Sequence, residues 1–179
     1  MPSRSPQAPA PGSILRSHYD ACVGCGSQHR CGLHLQVAVE EGLQVSGLLT
    51  VNEHHQGAPG LAHGGSLATA LDEVMGALNW LLMTPAVTGR LEVDYGRPVP
   101  VGTTLRFRAR VVGQSGRKVY CIADGRVDMP DGAVVISGRG VFVQVPLEHF
   151  QEHGRSEDVE RVASAQSASP KRPWLEINP

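Results

Sequence analysis

The sequence predicts an α+β fold in which one long central helix is wrapped by a curved antiparallel sheet of five to six strands. The helix is predicted by apolar residues that recur at helical spacing over about five turns after a glycine-rich segment. On both sides of it, apolar and polar residues alternate in segments joined by short turns, a pattern typical of antiparallel strands. Because a single helix must bury its apolar stripe, we expect the sheet to curve around it.

Composition indicates one domain of ordinary globular type. The chain has 179 residues, a net charge of −1 and 41% hydrophobic residues, enough to bury about two-thirds of the unfolded surface. A charge so close to zero argues against nucleic acid as a partner. No apolar run is long enough to span a membrane, so we expect a soluble, cytoplasmic protein without a membrane partner.

We divide the chain into three parts by composition. Residues 1–17 are rich in Pro, Ser and Ala and are expected to form a flexible arm, followed by the folded domain at 18–147. Residues 148–179 form a polar tail, in which a surface helix is expected within 148–163. Within that tail, Trp174-Leu175 is a short apolar island that we expect to dock on the body or on a neighbouring subunit.

The strands follow in order. Apolar residues alternate over 33–39 and 43–51 around a turn at Glu40-Glu41-Gly42, which predicts a hairpin. The helix comes next and ends at Thr84-Pro85. The remaining predicted strands cover residues 91–95, 105–111, 119–127 and 135–145.

The start of the helix is a candidate site for an oxyanion. His63, Gly64 and Gly65 stand where the first N–H groups have no partner within the helix and carry the positive end of its dipole. Glycine allows a ligand to approach these amides closely. Such donors stabilise the negative charge that develops on a carbonyl oxygen under attack.

Asp72 is the candidate acid. It falls off the apolar stripe, one turn from the small residues Ala68, Thr69 and Gly76. A carboxylate in the middle of an apolar helix is costly to bury unless a backbone amide or an arginine satisfies it or the chemistry uses it. Both interpretations stay open at this point. Glu73, the alternative acid, is expected to be solvated.

Two segments, HQGAPGLAHGGSLATALDEVMG and TGRLEVDYGRPVPVG, resemble hotdog-fold acyl-CoA thioesterases of the phenylacetate-degradation and human thioesterase-superfamily type. The resemblance extends roughly from Cys22 to Val145. It implies hydrolysis of an acyl-CoA to a carboxylic acid and coenzyme A, with no cofactor beyond the coenzyme A of the substrate. It also implies a homodimer or homotetramer whose active site lies at the subunit interface.

The resemblance assigns roles to individual residues. The amide of Gly64 polarises the thioester carbonyl, and Asp72 acts as general base or as nucleophile. Thr88 orients the acid or the water, and Gln56 is the nearest match to an Asn or Gln that some members place before the glycine turn. His63 is expected to fix the turn by hydrogen bonding.

The coenzyme A phosphates need cations. Arg117 and Lys118, in a glycine-containing turn, and Arg90, at a strand edge, are the candidates, and Gly65 allows close approach of the substrate. A separate basic stripe is expected to be solvated and formed by Arg106, Arg108 and Arg110.

Three cysteines lie close together in CVGCGSQHRCGLH. A zinc site made of Cys22, Cys25, Cys31 and His34 is the weaker interpretation, and reduced thiols without metal are the stronger one. A structural disulfide is disfavoured for a cytosolic chain.

Two other functions stay open. A hotdog hydratase or dehydratase would use His63 with Asp72 on an enoyl or hydroxyacyl thioester, and a non-catalytic acyl-CoA-binding module would lack turnover. A serine hydrolase is disfavoured because Ser66 lacks the G-x-S-x-G pattern. The spacing of His54, His55 and His63 fits no known metal motif.

Overall fold

The computed structural model describes residues 1–129 and 131–167. Its strands are β1 (Gln36–Val39), β2 (Gln44–Thr50), β3 (Ala86–Tyr95), β4 (Thr104–Ser115), β5 (Lys118–Val127) and β6 (Val134–Gln144). Its helices are α1 (Gly64–Gly76), α2 (Asn79–Leu82), α3 (Glu148–His153) and α4 (Ser156–Ser167), with a 3-10 turn at Glu53–His55.

The six strands form one antiparallel sheet in the order β1-β2-β4-β5-β6-β3. A two-residue turn joins β4 to β5, whereas β3 pairs with β6 and lies at the edge. Helix α1 packs against β2, β3, β4, β5 and β6. The predicted apolar stripe is buried and continues past the end of α1; it consists of Leu67, Leu71, Val74, Leu78 and Leu81. The predicted packing of one helix on an antiparallel sheet is confirmed.

The helix is shorter than predicted because its hydrogen-bond pattern changes after Gly76. The Asn79 side chain donates to the Gly76 carbonyl, and the Trp80 N–H bonds to Ala77, three residues back. A side chain that competes for a helix carbonyl tightens or ends the regular turn. The chain then forms only the short α2, which ends at Met83 in the left-handed conformation.

The strand after the helix begins five residues earlier than predicted, at Ala86 instead of Leu91. Its register with β6 shifts between Thr88 and Arg90, so Gly89 is an extra residue in a bulge. The early start matters for function, because it places Thr88 in the sheet beside α1.

The first residues do not form the free arm that we expected. The Leu15 N–H donates to Val37 O at 2.8 Å, and the Val39 N–H donates to Ser13 O at 2.9 Å. Arg4 Nη1 donates to Gly42 O at 2.8 Å. An exposed edge strand leaves unpaired N–H and C=O groups, and here the N-terminal segment covers those of β1.

The C-terminal part forms two short helices instead of one, since the chain breaks at Gly154 and Arg155. Asp158 of α4 accepts a hydrogen bond from Tyr19 Oη at 2.8 Å. Trp174-Leu175 lies outside the described residues. None of the helices within residues 1–129 and 131–167 has the length and apolarity needed to cross a membrane.

Candidate active site

Asp72 is held by a hydroxyl on the neighbouring strand. Thr88 Oγ1 donates to Asp72 Oδ1 at 2.8 Å. Burial raises the pKa of the Asp72 carboxyl, an effect that the Thr88 hydrogen bond opposes. Within the described part of the chain, neither Lys nor Arg forms a salt bridge with Asp72. The interpretation that an arginine satisfies this acid is therefore wrong, and one oriented carboxylate stays available to a ligand.

Replacing Thr88 by Val is expected to lower kcat for a reaction that uses Asp72 about tenfold. Valine keeps the shape of threonine but removes the hydroxyl, and a hydrogen bond to a carboxylate contributes about 1.5–3 kcal/mol. Without the hydroxyl, the Asp72 carboxylate can rotate away from the position needed for reaction, and part of this free energy is lost as a lower kcat. Steady-state kinetics of Thr88→Val and Thr88→Ser test this expectation. Serine keeps the hydroxyl and should stay within about threefold of the parent; equal losses in both variants would contradict the role.

The first turn of α1 presents one free amide. His63 is the N-cap, and its Nδ1 accepts the Gly65 N–H at 2.9 Å. The Ser66 N–H donates to His63 O at 3.0 Å. Among the hydrogen bonds of residues 1–129 and 131–167, none uses the Gly64 N–H as donor. This amide therefore points from a helix N-terminus with no protein acceptor, as an oxyanion site requires.

Tyr95 supports this turn and was not anticipated from the sequence. Its hydroxyl donates to Gly64 O at 3.0 Å, and a Cβ added at Gly64 would lie 3.3 Å from the Tyr95 ring. Glycine at position 64 therefore allows the close approach of the ring. The available signal was an aromatic residue at the end of the strand that follows the helix.

Hydrogen bonds between His55 and the backbone hold the glycine-rich loop before the helix in place. His55 is buried; its Nδ1 accepts the Asn52 N–H, and its Nε2 lies 3.1 Å from Gly32 O. The His63 N–H donates to His55 O at 2.7 Å. Gln56 Oε1 accepts the Gly60 N–H at 2.9 Å. Gln56 thus stabilises the loop, and both His55 nitrogens are occupied by backbone groups, so no histidine metal trio forms.

Gly64 and Asp72 do not share a site within one chain. They are eight residues apart on the same helix, which corresponds to about 12 Å along its axis. An oxyanion donor and a base that act on one carbonyl each need to lie about 3 Å from the reacting atoms. A single chain therefore provides two half-sites.

The turn between β4 and β5 lies at the same end of the sheet as Thr88. Lys118 pairs with Val143 of β6, and Val143 pairs with Val87 of β3. Because β6 lies between β5 and β3, this register places the turn about 10 Å from β3, the strand that carries Thr88. Arg117 Nη1 donates weakly to a backbone carbonyl, at 3.4 Å.

The other arginines are placed differently. Arg90 forms an exposed ion pair with Glu92. Arg106 pairs with Asp128 at 2.8 Å, so it is not simply solvated as expected. Arg108 and Arg110 line an open cavity of about 420 Å³ on the outer face of the sheet, away from α1. Among the salt bridges of the residues that the structure describes, none uses Arg117 or Lys118, whereas Arg90 is already paired with Glu92; all three stay predictions for the phosphate site.

Glu73 is not solvated, contrary to our expectation. Its side chain is only 15% exposed and lies against His18 and Cys22. Burial, together with the charge of a Cys22 thiolate, raises the pKa of Glu73 to about 7. Cys25 and His18 stabilise that thiolate, and the pKa of Cys22 is lowered to about 3.

The cysteines and histidine that suggested zinc do not meet as a set. His34 Nδ1 lies 2.9 Å from Gly26 O, and Cys31 Sγ lies 3.9 Å from His54 Nδ1. Cys22 and Cys25 remain together. The weaker interpretation, a zinc site made of Cys22, Cys25, Cys31 and His34, is therefore wrong, because the loop after Cys25 carries the last two away.

Comparisons with known proteins found sequence and structural similarity to thioesterases. Residues 59–126, which include α1, β3 and β4, match the model of the thioesterase superfamily. The chain is 38% identical over 65 residues to acyl-coenzyme A thioesterase THEM4 of Xenopus laevis, covering 36% of this chain and 29% of the relative. It is 35% identical over 95 residues to acyl-coenzyme A thioesterase THEM5 of Mus musculus, covering 52% of this chain and 37% of the relative. The chain thus spans well under half the length of the curated relatives it matches.

Among solved structures, the chain is similar to a crystal structure described as a thioesterase superfamily protein. The TM-score is 0.64 at 28% sequence identity, and the match covers 77% of this chain and 70% of that one. The resemblance expected from the glycine turn and its following acid is confirmed, as is the hotdog arrangement of helix and sheet.

Proposed function

We propose that this chain, a member of the thioesterase superfamily with the hotdog fold, hydrolyses an acyl-CoA thioester to a carboxylic acid and coenzyme A. The observation that carries the proposal is the environment of the Asp72 carboxylate. Its carboxylate sits in the middle of a buried helix, and its observed partner is the Thr88 hydroxyl instead of a cation. Such a carboxylate is oriented without being neutralised, which suits a base or a nucleophile.

The proposed reaction joins two groups. As water attacks the thioester carbon, Asp72 takes its proton, and the carbonyl oxygen becomes an anion bound by a Gly64 N–H. Collapse of the tetrahedral intermediate breaks the C–S bond, and the thiolate of coenzyme A receives the proton from Asp72. Alternatively, the Asp72 carboxylate attacks the carbon itself, and the C–S bond breaks to release the thiolate of coenzyme A. Water then hydrolyses the acyl-enzyme anhydride, which returns the Asp72 carboxylate, releases the carboxylic acid and frees one proton for the thiolate. Neither route uses a metal or redox cofactor.

The half-sites support a homodimer as the active unit, alone or within a homotetramer. Asp72 and Gly64 of one chain are about 12 Å apart, so a second copy would supply the missing amide. Strand β3 lies at the edge of the sheet, and Thr88 is exposed there in the isolated chain. A strand at the edge of a sheet suits pairing with a strand of another copy, which would bury Thr88 and close the site.

Thiol release from a panel of short-chain, long-chain and aryl acyl-CoAs tests the proposed activity. Turnover of at least one member, with product acid equal to thiol released, is the expected result. Loss of double-bond absorbance from an enoyl-CoA without thiol release would indicate a hydratase instead. Saturable binding of acyl-CoA without turnover would indicate a binding module.

Replacing Arg117 by Ala is expected to raise KM for acyl-CoA about fivefold to tenfold with kcat unchanged. A charge-assisted contact to a phosphate contributes to the ground state and the transition state alike, so its loss weakens binding without slowing chemistry. Arg106→Ala is the matched control, because Arg106 is paired with Asp128 and lies near the opposite end of β4. A fall in kcat, or an equal effect in the control, would contradict a role for Arg117 in binding phosphate.

A further inference from the structure

The residues that pack Glu73 against the N-terminal segment form a compact group of metal-binding atoms. One ligand atom from each of His18, Cys22, Cys25 and Glu73 lies within 4.8 Å of every other. Cys22 Sγ is 3.5 Å from Glu73 Oε2, Cys25 Sγ is 3.3 Å from His18 Nδ1, and His18 Nδ1 is 3.7 Å from Glu73 Oε1. All four residues are partly buried.

These separations fit a tetrahedral ion. With metal–ligand bonds of about 2.0–2.3 Å, a tetrahedral zinc places its ligand atoms about 3.3–3.8 Å apart. The three distances above fall in that range, although the two to Glu73 are measured to its two different carboxylate oxygens, and every separation in the group is at most 4.8 Å. Two cysteines, one histidine and one glutamate would fill all four positions, which is the arrangement of a structural site, since a catalytic zinc keeps one position open.

One backbone N–H and one hydroxyl group lie close enough to the cysteine sulfur atoms to hydrogen-bond to thiolate ligands. The Gly24 N–H donates to Cys22 Sγ at 3.3 Å, and Ser17 Oγ lies 3.4 Å from Cys25 Sγ. Hydrogen bonds of this kind orient and stabilise metal-bound sulfur. A Cβ at Gly24 would lie 2.1 Å from Glu73 Oε2, so a side chain at position 24 would displace the Glu73 carboxylate from its place beside Cys22.

We propose that His18, Cys22, Cys25 and Glu73 bind one zinc ion, which fastens the N-terminal segment to α1. Thiolate and imidazole ligands at tetrahedral spacing favour zinc over the hard cations magnesium and calcium. The site accounts for the burial of Glu73 beside the proposed catalytic acid. It is independent of the proposed hydrolysis, because none of its four ligands takes part in that reaction.

The other chemistry open to Cys22 and Cys25 is a disulfide within the Cys-x-x-Cys turn. A disulfide would consume both thiols, but His18 and Glu73 would stay partly buried beside neutral sulfur atoms that do not satisfy their polar groups. Zinc uses all four groups, and for that reason the geometry favours it.

Metal analysis of the full-length protein, expressed without a histidine tag and dialysed against metal-free buffer, tests the site. We expect about one zinc per chain, falling at least about tenfold in Cys22→Ser and in Glu73→Gln. Cys31→Ser and His34→Ala are matched controls, because both residues belong to the same sequence cluster but lie outside the four-residue group. The controls should keep their zinc.

Cobalt substitution of the parent protein gives a measurement that does not depend on the folding of any variant. Tetrahedral Co²⁺ with two thiolates is expected to show intense visible bands and a sulfur-to-metal charge-transfer band. Absence of zinc and of these bands after reconstitution of the reduced protein would overturn the proposal. It would also be overturned by a parent protein lighter by two hydrogens with Cys22 linked to Cys25, or by full zinc retention in Glu73→Gln.

Discussion

Asp72→Asn is expected to lower kcat for acyl-CoA hydrolysis by about 10²–10⁴-fold, the usual contribution of a positioned base. Asparagine has nearly the same shape, and its Oδ1 can still accept the Thr88 hydroxyl, so the helix and its contact with β3 should be kept. What is lost is the ability to take a proton or to attack carbon. The measurement is thiol release under saturating and limiting substrate, with circular dichroism and oligomeric state recorded for each variant.

The matched control for this prediction is Asp124→Asn. Asp124 lies on β5 and pairs with Arg126 at 2.7 Å, on a surface lined by Arg108 and Arg110. It should retain kcat within about twofold, since an exposed ion pair contributes little. If Asp72→Asn retains kcat as well, the acid must lie elsewhere and the proposed mechanism fails.

Gly64→Pro is expected to lower kcat about 10²–10³-fold by removing one oxyanion donor. Gly64 is the first residue of α1, a position where proline is well tolerated because its N–H has no helical partner. His63 has φ −70° and ψ 135°, an extended conformation that suits the residue before proline. The substitution therefore deletes the N–H while the helix can still begin at the same place.

Gly64→Ala separates the loss of the donor from crowding. Its Cβ meets the same Tyr95 ring, 3.3 Å away, but the N–H remains. Alanine should therefore lose much less kcat than proline. Equal losses in the two variants would show that the Tyr95 contact, and not the missing amide, causes the defect.

The same two substitutions test whether active sites are shared between copies. In a mixed dimer of Asp72→Asn with Gly64→Pro, one shared site would contain both changes and the other neither. Random mixing of equal amounts should then restore about a quarter of the parent activity. No restoration in proven mixed dimers would place both groups in one chain, which the separation along α1 opposes.

Local spacing was enough to predict the central architecture and to single out two candidate site residues. The apolar stripe of the helix and the alternation in β2, β4, β5 and β6 repeat with the periods of helix and strand, which sequence displays directly. Asp72 stands out because it is a carboxylate that lies off the stripe, beside small residues. Gly64 stands out because the glycine turn ends where the stripe begins. For Arg117, the sequence indicated only a cation in a turn. It did not indicate how far that turn lies from Asp72.

Tertiary structure alone decided the surroundings of those residues. Glu73 is buried because a segment more than forty residues earlier, around Cys22, folds over its helix, and no local pattern encodes such a distant contact. For the same reason, His18 lies beside Cys22 and Cys25, whereas His34 lies outside that group. The side chain beside Asp72 depends on where β3 begins and how it pairs with β6. Thr88 is sixteen residues away in the sequence, yet its Oγ1 lies 2.8 Å from Asp72 Oδ1. The sequence by itself determined the helix, the strands and the candidate residues, because periodicity is local, whereas packing between distant segments decided which of the candidates meet.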